Sequence, residues 1–179
     1  MNRKNAVTAT LIAIAGTSLI LHSCRTIPKG VSAVDNFDKE KYLGKWFEIA
    51  RLNYSFEKNL NNVTAEYSLK DNGNIKVVNR GYNFKKKKES KSVGKAKFVD
   101  ADTVGKLKVS FFGPFYAGYN VIAIDDDYKY ALVAGKNHKY LWLLSREQTM
   151  PDNIKNEYFS IAKNAGFPVD DLVWVTQNR

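Results

Sequence analysis

The sequence predicts an all-β fold with one helix: an eight-stranded up-and-down antiparallel β-barrel with a C-terminal α-helix packed outside. Three observations carry this reading. Strand-like segments succeed one another from Gly44 to Ser145 with short links, the rhythm of an up-and-down barrel. The last three of them, residues 121–124, 131–134 and 141–144, are apolar on both faces, so each face needs a cover. Immediately afterwards Ile154, Tyr158, Ile161 and Ala165 form a helical stripe, which supplies the outer one.

The elements follow in chain order. Met1-Asn2-Arg3-Lys4-Asn5 is a basic start, and residues 6–21 are an apolar, alanine-rich run of the length of an export signal. The run ends Leu21-His22-Ser23-Cys24, which resembles a bacterial lipobox. That resemblance implies a lipoprotein signal peptide over residues 1–23. It also implies a mature chain starting at Cys24, with S-diacylglycerol and N-acyl groups on that residue. Several acyl chains anchor a protein stably where one is marginal. Arg25 follows Cys24, and by analogy with enteric lipoproteins this implies delivery to the outer membrane. Residues 24–33, with Pro28 and Gly30, read as a lipidated tether that joins the domain near the closed end of the barrel. Residues 34–179 form the barrel domain.

Within that domain, residues 34–42 predict a short helical turn running into a first strand that begins at Leu43-Gly44-Lys45-Trp46. Val63, Ala65, Tyr67 and Leu69 alternate with polar residues as a half-buried strand does. Asp71-Asn72-Gly73-Asn74 is a hairpin turn. Strands are expected over residues 75–83, 90–99, 106–112, 119–125, 130–135 and 140–145. Thr149-Met150-Pro151-Asp152 reads as a cap-like helix start, with Gly166 and Pro168 at its end. Leu172-Val173-Trp174-Val175 is a further strand for the sheet edge.

Composition narrows the function. Hydrophobic residues make up 44% and aromatics 13% of the chain, and a net charge of +10 leaves room for an anionic partner. The single Cys allows no intramolecular disulfide. Of two His, only His138 lies beyond the leader, which argues against metal catalysis and His-based triads. No catalytic residue, metal site or cofactor is assigned. Nucleic acid is not an expected partner, because the export signal removes the chain from its compartment.

Gly44-x-Trp46 entering the first strand, Asp125-Asp126-Asp127-Tyr128 between two late strands, and Leu144-Ser145-Arg146 ending the last one resemble the three motifs of the lipocalin family. Ile124 replaces the Thr that the second motif ordinarily carries. Residues 42–51, 110–116 and 140–146 look like the bacterial outer-membrane lipocalins in particular. The resemblance covers residues 34–177. It implies that Trp46 closes the barrel base with Arg146 across its indole. It also implies binding and carriage of fatty acids or lysophospholipids, for storage or transport in envelope maintenance under stress, in a protein lipid-anchored at the outer membrane. A carrier of another hydrophobic molecule (pigment or haem) and an enzyme on the same fold are the alternatives. Exposed aromatics at the rim permit a homodimer.

Parity then sorts the interior. If Arg146 points to the base, Trp142 and Tyr140 share its face, because side chains alternate along a strand. The same alternation makes Ala65, Tyr67, Val109 and Phe111 wall residues of a ligand cavity, unless the aromatics fill the barrel outright. The family's strand order places Phe56, Lys58, Lys85, Lys86, Lys87, Lys88, Phe115, Tyr116 and Lys136 at the mouth. The Asp-rich turns then lie at the base. A basic, aromatic rim of this kind suits docking on anionic headgroups.

Overall fold

The computed structural model describes residues 26–178, so the expected leader and Cys24 lie outside the described residues. Asp38 starts the first element, α1 (Lys39–Tyr42), by accepting the N–H groups of Glu40 and Lys41 at 3.0 and 3.2 Å. This satisfies donors that have no partner within the turn. Eight strands follow: β1 (Gly44–Leu52), β2 (Leu60–Leu69), β3 (Ile75–Asn83), β4 (Lys88–Phe98), β5 (Lys106–Ser110), β6 (Ala117–Ile124), β7 (Tyr130–Ala134) and β8 (Leu141–Ser145). Each pairs antiparallel with the next, and β8 returns to β1, so the barrel closes.

The helix α2 (Asp152–Asn164) packs outside, and β9 (Leu172–Trp174) joins the sheet against β1. The expected cap-like start is corrected. Pro151 is the N-cap and no side chain bonds the helix end, because Pro supplies backbone shape but no side-chain acceptor. The other end turns on Gly166 at φ +84°, where Phe167 N–H reaches the Ala162 carbonyl at 3.0 Å.

Two cores result from the doubly apolar strands. Val121, Ala131, Val133 and Leu144 face inward with Trp46, Tyr67 and Ile75. Leu132, Ala134, Leu141 and Leu143 face outward beneath Tyr158, Ala162 and Phe167. The Tyr158 hydroxyl also donates to the Tyr130 carbonyl at 2.9 Å, fixing the helix on β7.

β1 is shared three ways. Residues Gly44 to Phe47 pair with β2, while Ala50 to Leu52 pair with β9 where β2 diverges. A bulge between Glu48 and Ala50 marks the change. The Gln177 amide then spans the gap, donating to the carbonyls of Glu48 and Val63 at 2.8 and 2.9 Å.

The expected tether is not a free linker among its described residues. It does join the domain near the base, where Val34 N–H donates to the Val121 carbonyl and the Val34 carbonyl accepts from Gly105 N–H. From there residues 26–33 double back along the outer wall of β6. Pro28 is buried, and the Thr26 carbonyl accepts the Asn120 amide at 2.8 Å, against Gly118.

Candidate functional site

The base of the barrel is sealed by Trp46, fully buried, whose indole N–H donates to the Tyr42 carbonyl at 2.9 Å. The Arg146 guanidinium lies 3.9 Å from the centre of that ring, within cation–π range. The same guanidinium donates to the carbonyls of Tyr128, Lys45 and Lys41 at 3.1, 2.9 and 2.6 Å. It thereby ties β8 to α1, to β1 and to the β6–β7 turn. Gly44 sits at φ +92°, and a Cβ there would meet Arg146 Nη1 at 3.4 Å, so the turn needs Gly for both its backbone and its space.

Above this floor lies a cavity of about 580 Å³, open at the opposite end. That volume is in the range that holds a small ligand. Ala65 and Tyr67 of β2, Val109 of β5, Phe111 just beyond it, and Tyr140 and Trp142 at β8 all line it. The side chains therefore do not fill the barrel. Deep in the cup, three hydroxyls are joined in a row. Tyr119 lies 2.6 Å from Tyr42 and 2.7 Å from Tyr67, oxygen to oxygen. Burial pushes all three above the usual phenol range, so they are protonated.

One cluster in the wall has no counterpart in the sequence reading. Glu48, Arg51 and Glu57 are buried together. Arg51 donates to Glu48 Oε1 at 2.6 Å and to the Glu57 carbonyl at 2.6 Å, and its Nε lies 3.9 Å from Glu57 Oε2. Trp142 gives its indole N–H to Glu57 Oε2 at 3.2 Å. In a regular strand, residues three apart point to opposite faces. The bulge after Glu48 brings Glu48 opposite Leu144 and Arg51 opposite Trp142, both interior positions. Burial, and then the charge of Glu57, raise the Glu48 carboxyl well above its usual range against the pull of Arg51. Burial raises Glu57 as well, opposed by the Trp142 and Arg51 contacts.

At the mouth, Phe56, Phe115, Tyr116 and Lys136 border the cavity. Lys58, Lys86 and Lys88 line a second, polar cavity that shares Phe56, Leu60 and Ser90 with the first. Lys85 and Lys87 stand exposed in the β3–β4 connection and line neither. His138 is committed elsewhere, bonded to the Ala165 carbonyl at 2.9 Å and packed on Phe167.

A barrel closed by a Trp–Arg pair, cupped over a ligand-sized cavity and flanked by one helix defines a class. The family model described as a lipocalin-like domain matches residues 37–177. The chain belongs to the lipocalin family. Within it, the chain is 49% identical over 172 residues to outer membrane lipoprotein Blc of Citrobacter freundii, covering 96% of this chain and 94% of that one. To outer membrane lipoprotein Blc of Escherichia coli (strain K12) it is 48% identical over 169 residues, covering 93% and 96%. The chain is thus a bacterial outer-membrane lipocalin, lipid-anchored. The cockroach allergen Per a 4 shares the fold, with a TM-score of 0.67 at 24% identity over 86% of this chain and 96% of that one.

Proposed function

We propose that this lipocalin carries single-chain lipids, fatty acids or lysophospholipids, for storage or transport in envelope maintenance. We further assign Cys24 as the residue that bears the anchor. The observation that carries the reading is the pairing of two cavities across Phe56: a deep apolar cup and a shallow basic one. An acyl chain matches the first, and a phosphate or carboxylate on its end matches the Lys58, Lys86 and Lys88 side of the second. The order of insertion follows from electrostatics. A charged head moving into the apolar cup would lose its hydration, so the tail enters first and the head stays at the rim. Trp142 and Tyr140 form the upper wall against the chain.

The test is native mass spectrometry of the domain from Thr26 onward, purified from cells without detergent, followed by lipid extraction. A co-purifying single-chain lipid is expected, and Trp142→Arg is expected to remove it while far-UV circular dichroism is kept. An empty domain whose Trp fluorescence ignores added lysophospholipid overturns the reading.

A further inference from the structure

The described chain begins at Thr26, and its position bears on how the anchored protein meets the membrane. Thr26 is pinned one residue from the mouth end of β6, its carbonyl held by the Asn120 amide at 2.8 Å. A Cβ on Gly118 would lie 1.7 Å from that carbonyl oxygen, so only Gly lets the segment seat so closely. Cys24 is two residues away, and two residues span at most about 7 Å. The anchor therefore leaves the protein beside the open end of the barrel, whatever path those two residues take.

What surrounds the exit is a second observation, independent of the first. The β5–β6 loop, which leads directly into Gly118, carries Phe112 and Phe115 at 82% and 78% exposure. Neither ring has a place in the fold's own cores. Beneath the loop, Lys95, Lys97 and Lys108 surround the Tyr116 ring, with their ammonium groups 5.9, 5.1 and 5.7 Å from its centre. Lys97 and Lys108 are direct cross-strand partners. Like charges placed opposite one another cost stability unless an anion lies between or above them. Apolar tips over a lysine collar are the pattern of a surface that enters a lipid interface, rings below the headgroups and ammonium groups among them.

We infer that the docked N-terminal segment is an orienting strap: it presses the mouth of the barrel onto the anionic leaflet that holds the Cys24 acyl chains, with Phe112 and Phe115 inserted. The cup then opens into the bilayer and not into water, and a lipid passes between leaflet and cavity without crossing the aqueous phase. This rests on acylation of Cys24, and it goes beyond cavity binding by naming the face that exchanges lipid.

The experiment uses the full chain, exported, processed and reconstituted in vesicles of phosphatidylethanolamine and phosphatidylglycerol containing a doxyl-labelled quencher lipid. An environment-sensitive fluorophore is placed on Phe115→Cys at the mouth or on Asn72→Cys at the base turn. Mass spectrometry of the N-terminus establishes acylation in each sample. In the acylated protein, the label at position 115 is expected to shift to the blue and lose most of its fluorescence to the quencher, while the label at 72 keeps the aqueous spectrum. Gly118→Ala, which evicts the strap, is expected to restore fluorescence at 115 with the vesicle-bound fraction unchanged and circular dichroism intact. Quenching at 72, or at neither position, in acylated protein overturns the proposal. Quenching at 115 that Gly118→Ala leaves untouched overturns the strap's part in it. An unacylated Cys24 removes the premise, and that failure is read from the mass alone.

Discussion

The two ends of the barrel are built from the same kinds of residue and put them to opposite use. At the base, charge is consumed internally. Lys39 pairs with Asp102 at 2.6 Å, Lys106 with Asp100 at 2.9 Å and Lys129 with Asp127 at 2.9 Å. The base aromatics are buried in a chain of tilted ring contacts, Tyr128 to Phe37, Phe37 to Tyr42 and Tyr42 to Trp46. At the mouth, Lys58, Lys86 and Lys88 gather round one polar cavity, and Phe56, Phe112 and Phe115 stand out from the surface. Stability is concentrated where polar groups are satisfied and rings are covered, and binding where they are not. Variants at the two ends should therefore separate into those that unfold the protein and those that leave it folded but change what it holds.

The largest effect belongs to the base. Trp46→Ala removes a fully buried indole and its bond to the Tyr42 carbonyl, and is expected to cost about 4 kcal/mol in urea unfolding. Arg146→Ala follows, at about 2 kcal/mol, because three carbonyls lose a charged donor but gain access to water. A base that tolerated both without loss would break the division between the ends.

The wall between the ends gives a prediction of a different kind. Glu48 has a raised carboxyl pKa in the folded state, so the native protein binds more protons there than the unfolded chain does. Its contribution to stability is fully present below the ordinary carboxylate range. It is lost as pH rises from about 4.3 through the raised value. Melts of the natural protein should therefore fall in midpoint as pH is raised across that window. Glu48→Gln, which keeps an acceptor for Arg51 Nη1, should flatten the profile and raise the midpoint at neutral pH relative to the natural chain. An unchanged slope would mean that the cluster is already fully compensated by Arg51.

How much of this was legible in the sequence differs along the same axis. Gly44, Trp46 and Arg146 are local signals at fixed strand positions, and alternation from Arg146 is enough to turn Trp142 and Tyr140 inward. The doubly apolar strands announce both cores, since each face of residues 131–134 needs burial. Glu48 and Arg51 were not legible, because an i, i+3 pair in a strand reads as one residue in and one out. The bulge that reverses this leaves no mark in the residue types. Glu57 is in a connection, Ser55–Glu57, where no strand alternation assigns a side chain to the interior. The strap was not legible for a similar reason. Pro28 and Gly30 signal a turn equally well in a free linker and in a docked segment. The partner that decides between them, Asn120, lies 94 positions away.

The smallest effect falls at the mouth and sharpens the comparison most. Lys86→Gln together with Lys88→Gln alters exposed side chains, so unfolding free energy should stay within about 0.5 kcal/mol of the natural protein. If the polar cavity holds the anionic end of the ligand, affinity for a lysophospholipid with a negatively charged head should weaken up to about fivefold, the worth of an exposed ion pair. A monoacylglycerol of the same chain length, which offers no charge, should bind the variant and the natural protein alike. Added salt should erase the difference for the charged lipid, because ions screen exposed pairs but not the apolar cup. Titration of intrinsic Trp fluorescence reads all three, since Trp142 lines the cavity. Equal loss for charged and neutral lipids would place the lysines' effect on the shape of the mouth and not on its charge. The head would then have to be held by the aromatic side of the rim, where Phe56 stacks on Tyr54 at 4.5 Å.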